Sequence, residues 1–126
     1  MKKIVLTEKA PAPIGAYSQG VSTEKLIFTS GQLPVDMQNG EIIYGNIEKA
    51  AKAALDNVIA VVEAAGGTKE MIIKTTVFLK DMSDFPVVNK VYADYFTEDA
   101  PARSAVQVAR LPKDVDIEIE AIAAKK

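Results

Sequence analysis

Polar and apolar positions along this chain follow two rhythms. From Ile47 to Ala65 the apolar residues recur at three- and four-residue steps (Ile47, Ala50, Ala51, Ala54, Leu55, Val58, Ile59, Val62, Ala65), which predicts an amphipathic helix. Asn46 supplies an N-cap and Gly66 a C-terminal stop. A second helix is predicted over 84–96, with Ser83 as its cap, Pro86 in its first turn and a stripe of Val88, Val91, Tyr92, Tyr95 and Phe96. Elsewhere the period is two. Strands are predicted near 2–6, over Tyr17–Val21 and Leu26–Thr29 around the polar turn Ser22–Lys25, and over Met71–Leu79 with Ile73, Thr75, Val77 and Leu79 on one face. Two more run over 103–109 and 115–123, joined by Leu111-Pro112-Lys113-Asp114. Ala10 to Gly15 reads as a rigid extended approach, and Asn39-Gly40 as a hairpin turn into Glu41–Tyr44.

Strands, helix, strand, helix, strand, strand predicts one α+β domain over residues 1–126, a mixed and mostly antiparallel sheet with two helices on one face. In the last strand Ile117, Ile119, Ala121 and Ala123 point one way, and Asp116, Glu118, Glu120 and Ile122 the other. In the strand before it Ser104, Val106 and Val108 oppose Arg103, Ala105, Gln107 and Ala109. If the apolar sets meet the helices, Arg103, Gln107, Glu118 and Glu120 share the uncovered face of a hairpin. Such a face is either solvated and laced with cross-strand ion pairs, or an interface enclosing polar pockets. The admixture of Ala105, Ala109 and Ile122 suits the interface.

Composition narrows the chemistry. The 126 residues are 48% hydrophobic and 25% charged, with a net charge of −2, no His and no Cys. Without them there is no Ser-His-Asp triad, Cys-His pair, ordinary zinc site or disulfide framework. No Gly-rich phosphate loop is present. No basic stripe marks a nucleic-acid reader, and no apolar run approaches the length of a membrane span. The segment after Lys2-Lys3 is too short for a signal-peptide core, so a cytoplasmic location is expected by default. The tools left are Arg, Glu, Asp, Tyr, Ser, Lys, backbone groups and water.

Six segments in order carry a resemblance. They are Ile14-Gly15-Ala16-Tyr17-Ser18-Gln19, Thr29-Ser30-Gly31-Gln32, Val77-Phe78-Leu79-Lys80-Asp81, Val88-Asn89, Pro101-Ala102-Arg103-Ser104, and Ala109-Arg110-Leu111-Pro112 through Ile117-Glu118-Ile119-Glu120-Ala121. Together the chain resembles the RidA/YjgF family of reactive-intermediate deaminases over essentially its whole length. The resemblance implies a chorismate-mutase-like subunit in a homotrimer, whose sheets close into a central barrel with sites in the clefts between subunits. It implies hydrolysis of 2-imino acids, the tautomers of enamines such as 2-iminobutanoate and 2-iminopropanoate, to 2-oxo acids and ammonia. It implies no metal or organic cofactor, and neither a nucleic-acid nor a membrane partner.

The resemblance also implies roles. Arg103 would clamp the substrate carboxylate, Glu118 would position the attacking water, and Tyr17 would bound the pocket and hydrogen-bond substrate or water. Ser30 and Gly31 would line the pocket, Asn89 would support the cleft, and Ala105 would lie in it where some relatives carry a cysteine. Ala16 stands where a proline is common in the family, which loosens the placement of Tyr17. A protonated imine is already electrophilic, so orientation and one positioned water suffice without His or Cys. The competing readings are a non-catalytic carboxylate sensor on the same trimer, a holdase for unfolded proteins, and RNA cleavage or translation inhibition. The acidic balance and the lack of His argue against the last.

Overall fold

The computed structural model describes residues 1–125. The strands are β1 (Lys3–Val5), β2 (Gly20–Ser22), β3 (Leu26–Thr29), β4 (Val35–Asp36), β5 (Glu41–Ile42), β6 (Ile72–Leu79), β7 (Ala102–Gln107) and β8 (Ile117–Ala124). The helices are α1 (Ile47–Ala64) and α2 (Phe85–Tyr95). Six strands form one sheet in the order β1-β2-β3-β8-β6-β7, while β4 and β5 make a separate two-stranded ribbon. All pairings in the large sheet are antiparallel except β6 with β7, whose connection runs through α2. Among the described residues no helix is long and apolar enough to cross a membrane.

Helix α1 starts where the Asn46 side chain accepts the Lys49 N–H at 3.1 Å. It stops in a Schellman turn: Gly66 N–H bonds Glu63 O, Gly67 N–H bonds Val62 O, and Gly66 takes φ +91°, which only glycine adopts cheaply. Its buried face is rich in alanine (Ala50, Ala51, Ala54), so the helix lies close against β8 and β3. Leu55, Val58 and Val62 fill the space between, against Ile27, Val77, Leu79, Ile117 and Ile119, all without exposed surface. Helix α2 adds Val88, Val91 and Tyr92 to the same core. Pro86 sits in its first turn as predicted, but Ser83 does not cap it: a 3-10 turn over Met82–Asp84 intervenes, and Asp81 caps that turn by accepting the Ser83 N–H at 2.9 Å.

The structure corrects three further expectations. The strand expected from Tyr17 begins only at Gly20, leaving Tyr17 in a loop. Ile73 is exposed because a bulge between Ile72 and Lys74 shifts the β6 register against β8 and turns it out. The largest correction concerns the last two strands. They are not a hairpin, because β6 lies between them. Parallel pairing sets Arg103 beside Thr75, Ala105 beside Val77 and Gln107 beside Leu79, which is the helix-covered face. The open face carries Val106, Phe78 and Glu118 in one row and Ser104, Thr76 and Glu120 in the next. Arg103 and Glu118 therefore occupy opposite faces of one sheet, two strands apart. Period-two reading placed the faces of β8 correctly and inverted β7. On an edge strand, the helix-side position at Arg103 is covered by two aromatic rings along α2, Phe85 and Tyr92, rather than by aliphatic core.

Candidate active site

The first cluster forms where β3 runs out against β8. The pairing passes from Phe28–Ile122 to the bridge Gln32–Ile119, four residues on one side against three on the other. The surplus is a bulge at Ser30-Gly31, and bulges of this kind re-aim the chain. Its ends are fastened. The buried Thr29 Oγ1 accepts the Ala121 N–H at 3.0 Å, and Gln32 and Ile119 exchange both backbone bonds, at 2.7 and 3.1 Å.

Gly31 is thereby pressed onto Glu118. A Cβ at position 31 would stand 2.0 Å from Glu118 Oε2 and 2.7 Å from its Cδ. Gly31 does not have a positive φ, so close approach rather than backbone freedom requires glycine here. The Glu118 carboxyl is half-buried, and its pKa is pushed above the ordinary glutamate range, first by that burial and then by the charge of Glu120. Ser30 is held back: its Oγ donates to Ser18 O at 2.5 Å and its N–H to Gln19 O at 2.8 Å. Tyr17 is half-exposed, its hydroxyl accepting the Ile14 N–H at 3.4 Å, and with Gly31 it borders a cavity of about 580 Å³.

A residue that pattern reading passed over organises this loop. Gln19 is buried, and its amide bonds Thr7 N–H, Thr7 O, Ala10 O and Pro11 O, at 2.7, 2.9, 3.2 and 2.9 Å. It staples the N-terminal strap over the sheet edge. Asn57 on α1 does the same for the ribbon, donating to Leu33 O and Val35 O at 3.1 and 3.0 Å.

The second cluster lies on the other face. The Arg103 guanidinium stands 5.0 Å from the ring centres of both Phe85 and Tyr92, and Nη1 donates to Asn89 Oδ1 at 3.0 Å. Phe85, Asn89 and Tyr92 fall at i, i+4 and i+7 on α2, so one helix face holds one guanidinium. Tyr92 is itself fixed, its hydroxyl donating to Thr75 Oγ1 at 2.9 Å in the core. Burial raises the Tyr92 hydroxyl pKa, opposed by the Thr75 bond and the Arg103 charge, so it stays protonated. Asn89, Tyr92, Pro101 and Arg103 border a recess of about 400 Å³. Ala105 is half-buried on this face and packs against the hydrophobic core.

Tyr17, Ser30, Gly31 and Glu118 thus gather at one place and Arg103 and Asn89 at another, while Ala105 continues the Arg103 face. The aromatic partners Phe85 and Tyr92 were missed by sequence reasoning. Tyr92 read as an ordinary core position, and only its helical spacing to Asn89 could have suggested a cradle.

Fold and clusters define a class: an α+β subunit with a carboxylate-bearing bulge on the open face of its sheet and an anchored guanidinium at the far edge. The family model described as endoribonuclease L-PSP matches residues 7–125, and the chain belongs to this RidA/YjgF family. A 2-iminobutanoate/2-iminopropanoate deaminase of Escherichia coli (strain K12) is 54% identical over 129 residues, covering 100% of both chains. The crystal structure of the YjgF gene product of E. coli superposes with a TM-score of 0.94 at 53% identity, covering 98% of this chain and 99% of that one. That of E. coli TdcF with bound serine gives 0.92 at 50% identity, again covering 98% and 99%.

Proposed function

We propose that this protein is a cofactor-independent deaminase that hydrolyses 2-imino acids, such as 2-iminobutanoate and 2-iminopropanoate, to 2-oxo acids and ammonia, in clefts between the copies of a homotrimer. The observation that carries the reading is the separation of the clusters. Glu118 with Gly31 and Arg103 with Asn89 are each held in place, yet they lie on opposite faces of one chain. A site using both takes Arg103 from one copy and Glu118 from the next. The open face supports such an assembly, since it leaves Ile4, Phe28 and Val106 substantially exposed beside Glu118 and Glu120. A closed ring would bury these apolar residues and join the clusters. The TdcF relative with bound serine adds that this fold accommodates a small molecule carrying a carboxylate next to nitrogen-bearing carbon.

In this reading Arg103 takes the substrate carboxylate in its planar fork, which Phe85, Tyr92 and Asn89 hold ready. Glu118 accepts a proton from water as the water oxygen bonds C2 and the C=N electron pair moves to nitrogen. It then returns that proton to the amino nitrogen. The C–N bond breaks as the new hydroxyl gives its proton to Glu118 and Glu118 passes it on to the departing nitrogen, leaving a 2-oxo acid and ammonia. A carboxyl pKa raised by burial suits a group that must both accept and return a proton. Tyr17 bounds the pocket and bonds substrate or water, while Ser30, Gly31 and Ala105 line it. Glu118 and Glu120 on one face repel a phosphate backbone, which favours a small imine over RNA.

The test generates 2-iminobutanoate from threonine with a dehydratase and traps the imine with semicarbazide. Wild type suppresses the semicarbazone and folded Arg103→Ala does not. If wild type also fails to suppress it, the chain is a carboxylate sensor rather than a deaminase.

A further inference from the structure

Asn39-Gly40 is a motif that the deaminase reading leaves unused. It forms the tip of the β4–β5 ribbon, where the Gly40 and Asn39 N–H groups donate to Asp36 O at 2.7 and 3.3 Å and Gly40 takes φ +75°. Residues 37–41 are all exposed. The Asn39 side chain turns back on its own backbone, Oδ1 accepting the Glu41 N–H at 2.8 Å. That bond folds the carboxamide over the Gly40 peptide, toward the nitrogen that could attack Cγ. It also sets an N–H donor on the oxygen that would gain negative charge in such an attack. A Cβ at position 40 would meet nothing within 4 Å, so nothing blocks the approach. The other three asparagines differ. Asn46 caps α1 through Lys49 N–H, Asn57 is buried in α1, and Asn89 lies in α2 with its Oδ1 on Arg103. Each is followed by a residue with a bulky side chain, Ile47, Val58 or Lys90.

We propose that Asn39 is a self-modification site of the folded protein, converted through a succinimide to aspartate and isoaspartate, and that the change unpairs the ribbon. The Gly40 nitrogen gives its proton to hydroxide and bonds Cγ, while the C=O electron pair moves to Oδ1. As that pair returns, the Cγ–Nδ2 bond breaks, and the nitrogen takes a proton from water and leaves as ammonia. Water then opens the five-membered ring at either carbonyl. The balance is one water consumed and one ammonia released. Only two residue pairs, Val35–Ile42 and Asp36–Glu41, join the ribbon strands, so the tip can open locally and free the Gly40 N–H from Asp36 O. One further carboxylate turns the net charge of −2 into −3, and places it between Asp36 and Glu41. In the isoaspartate the main chain is one carbon longer, which undoes the Asp36–Glu41 pair that closes the ribbon.

The experiment incubates the whole protein in mildly alkaline buffer, folded and, in parallel, unfolded in guanidinium chloride. Ion exchange separates the more acidic species, peptide mass mapping places the change, and a protein isoaspartate methyltransferase with a labelled methyl donor counts isoaspartate. The folded chain is expected to gain one negative charge at position 39, at a rate within a few-fold of the unfolded chain, while Asn46, Asn57 and Asn89 stay intact. Asn39→Gln, at an exposed position that leaves the core untouched, removes the acidic species, because the longer side chain would have to close a six-membered ring. The isolated isoaspartate form is cut faster by protease at residues 36–41 than unconverted protein. Asn39 intact in the folded chain while it converts in guanidinium chloride overturns the proposal, since the turn would then protect the asparagine. An acidic species that persists in Asn39→Gln overturns it as well, by placing the source elsewhere. Equal proteolysis of both forms overturns the unpairing of the ribbon.

Discussion

Gly31→Ala tests the geometry at its tightest point. The added methyl would lie 2.0 Å from Glu118 Oε2, 2.7 Å from Cδ and 3.0 Å from Cγ. Relaxed contacts between such atoms need roughly 3.5 Å, so the carboxylate has to withdraw by more than ~1 Å. The backbone at 31 is acceptable to alanine, and the obstructing atoms are the far end of a flexible side chain. The fold therefore yields by moving Glu118, at the low end of the ~1–3 kcal/mol of overpacking. Turnover suffers more, because displacing a reacting group by ~1 Å costs about 100-fold, or ~2.7 kcal/mol of barrier. Thermal unfolding and 2-iminobutanoate turnover by semicarbazide trapping measure the two effects. Gly31→Ala with near-wild-type Tm and kcat reduced about 100-fold is the expected result. Wild-type kcat in the folded variant would show that Glu118 beside Gly31 does not position the water.

Three further outcomes are expected. Arg103→Lys keeps a charge but loses both the fork and the stacking on Phe85 and Tyr92, so kcat/KM falls ~100-fold in steady-state kinetics, with little rescue relative to Arg103→Ala. Gln19→Ala leaves the carbonyls of Thr7, Ala10 and Pro11 without their donor; a loss of about 1–3 kcal/mol in urea unfolding, with faster proteolysis of the strap, is expected. Glu118 has a raised carboxyl pKa, so its contribution to stability is complete below the ordinary glutamate value and is lost as pH rises through the folded one. Glu118→Gln should accordingly raise Tm near neutral pH, with the gain vanishing in acid, while turnover is abolished; an equal Tm change at both pH values contradicts the burial argument.

Much of the fold was legible in the chain because the helices and β8 are patterned by a continuous core. Asn46, Gly66 and the apolar stripe of α1 act locally, and Ile117, Ile119, Ala121 and Ala123 are buried as alternation requires. What period-two reading could not see was non-local. It could not know that β6 inserts between β7 and β8, so a presumed hairpin became two strands of opposite exposure. Alternation on an edge strand is a weak guide: Val106 faces out and Arg103 lies under α2. Alternation singled out Arg103 and Glu118, while Tyr17, Ser30, Gly31, Asn89 and Ala105 came from the resemblance. Their division into two clusters depends on strand order, and Gln19 and Thr29 matter through hydrogen bonds that leave no periodic trace.

The central claim is that Arg103 of one copy works with Glu118 of another, and mixed assemblies test it most directly. Arg103→Ala and Glu118→Gln are each expected to be inactive alone. Unfolded together, refolded at equal amounts and confirmed as trimers, they should regain about a quarter of wild-type activity, because in a ring one cleft in four then draws both intact residues from different chains. No recovery from well-folded mixed trimers would contradict the account and would mean that the two residues do not share a site.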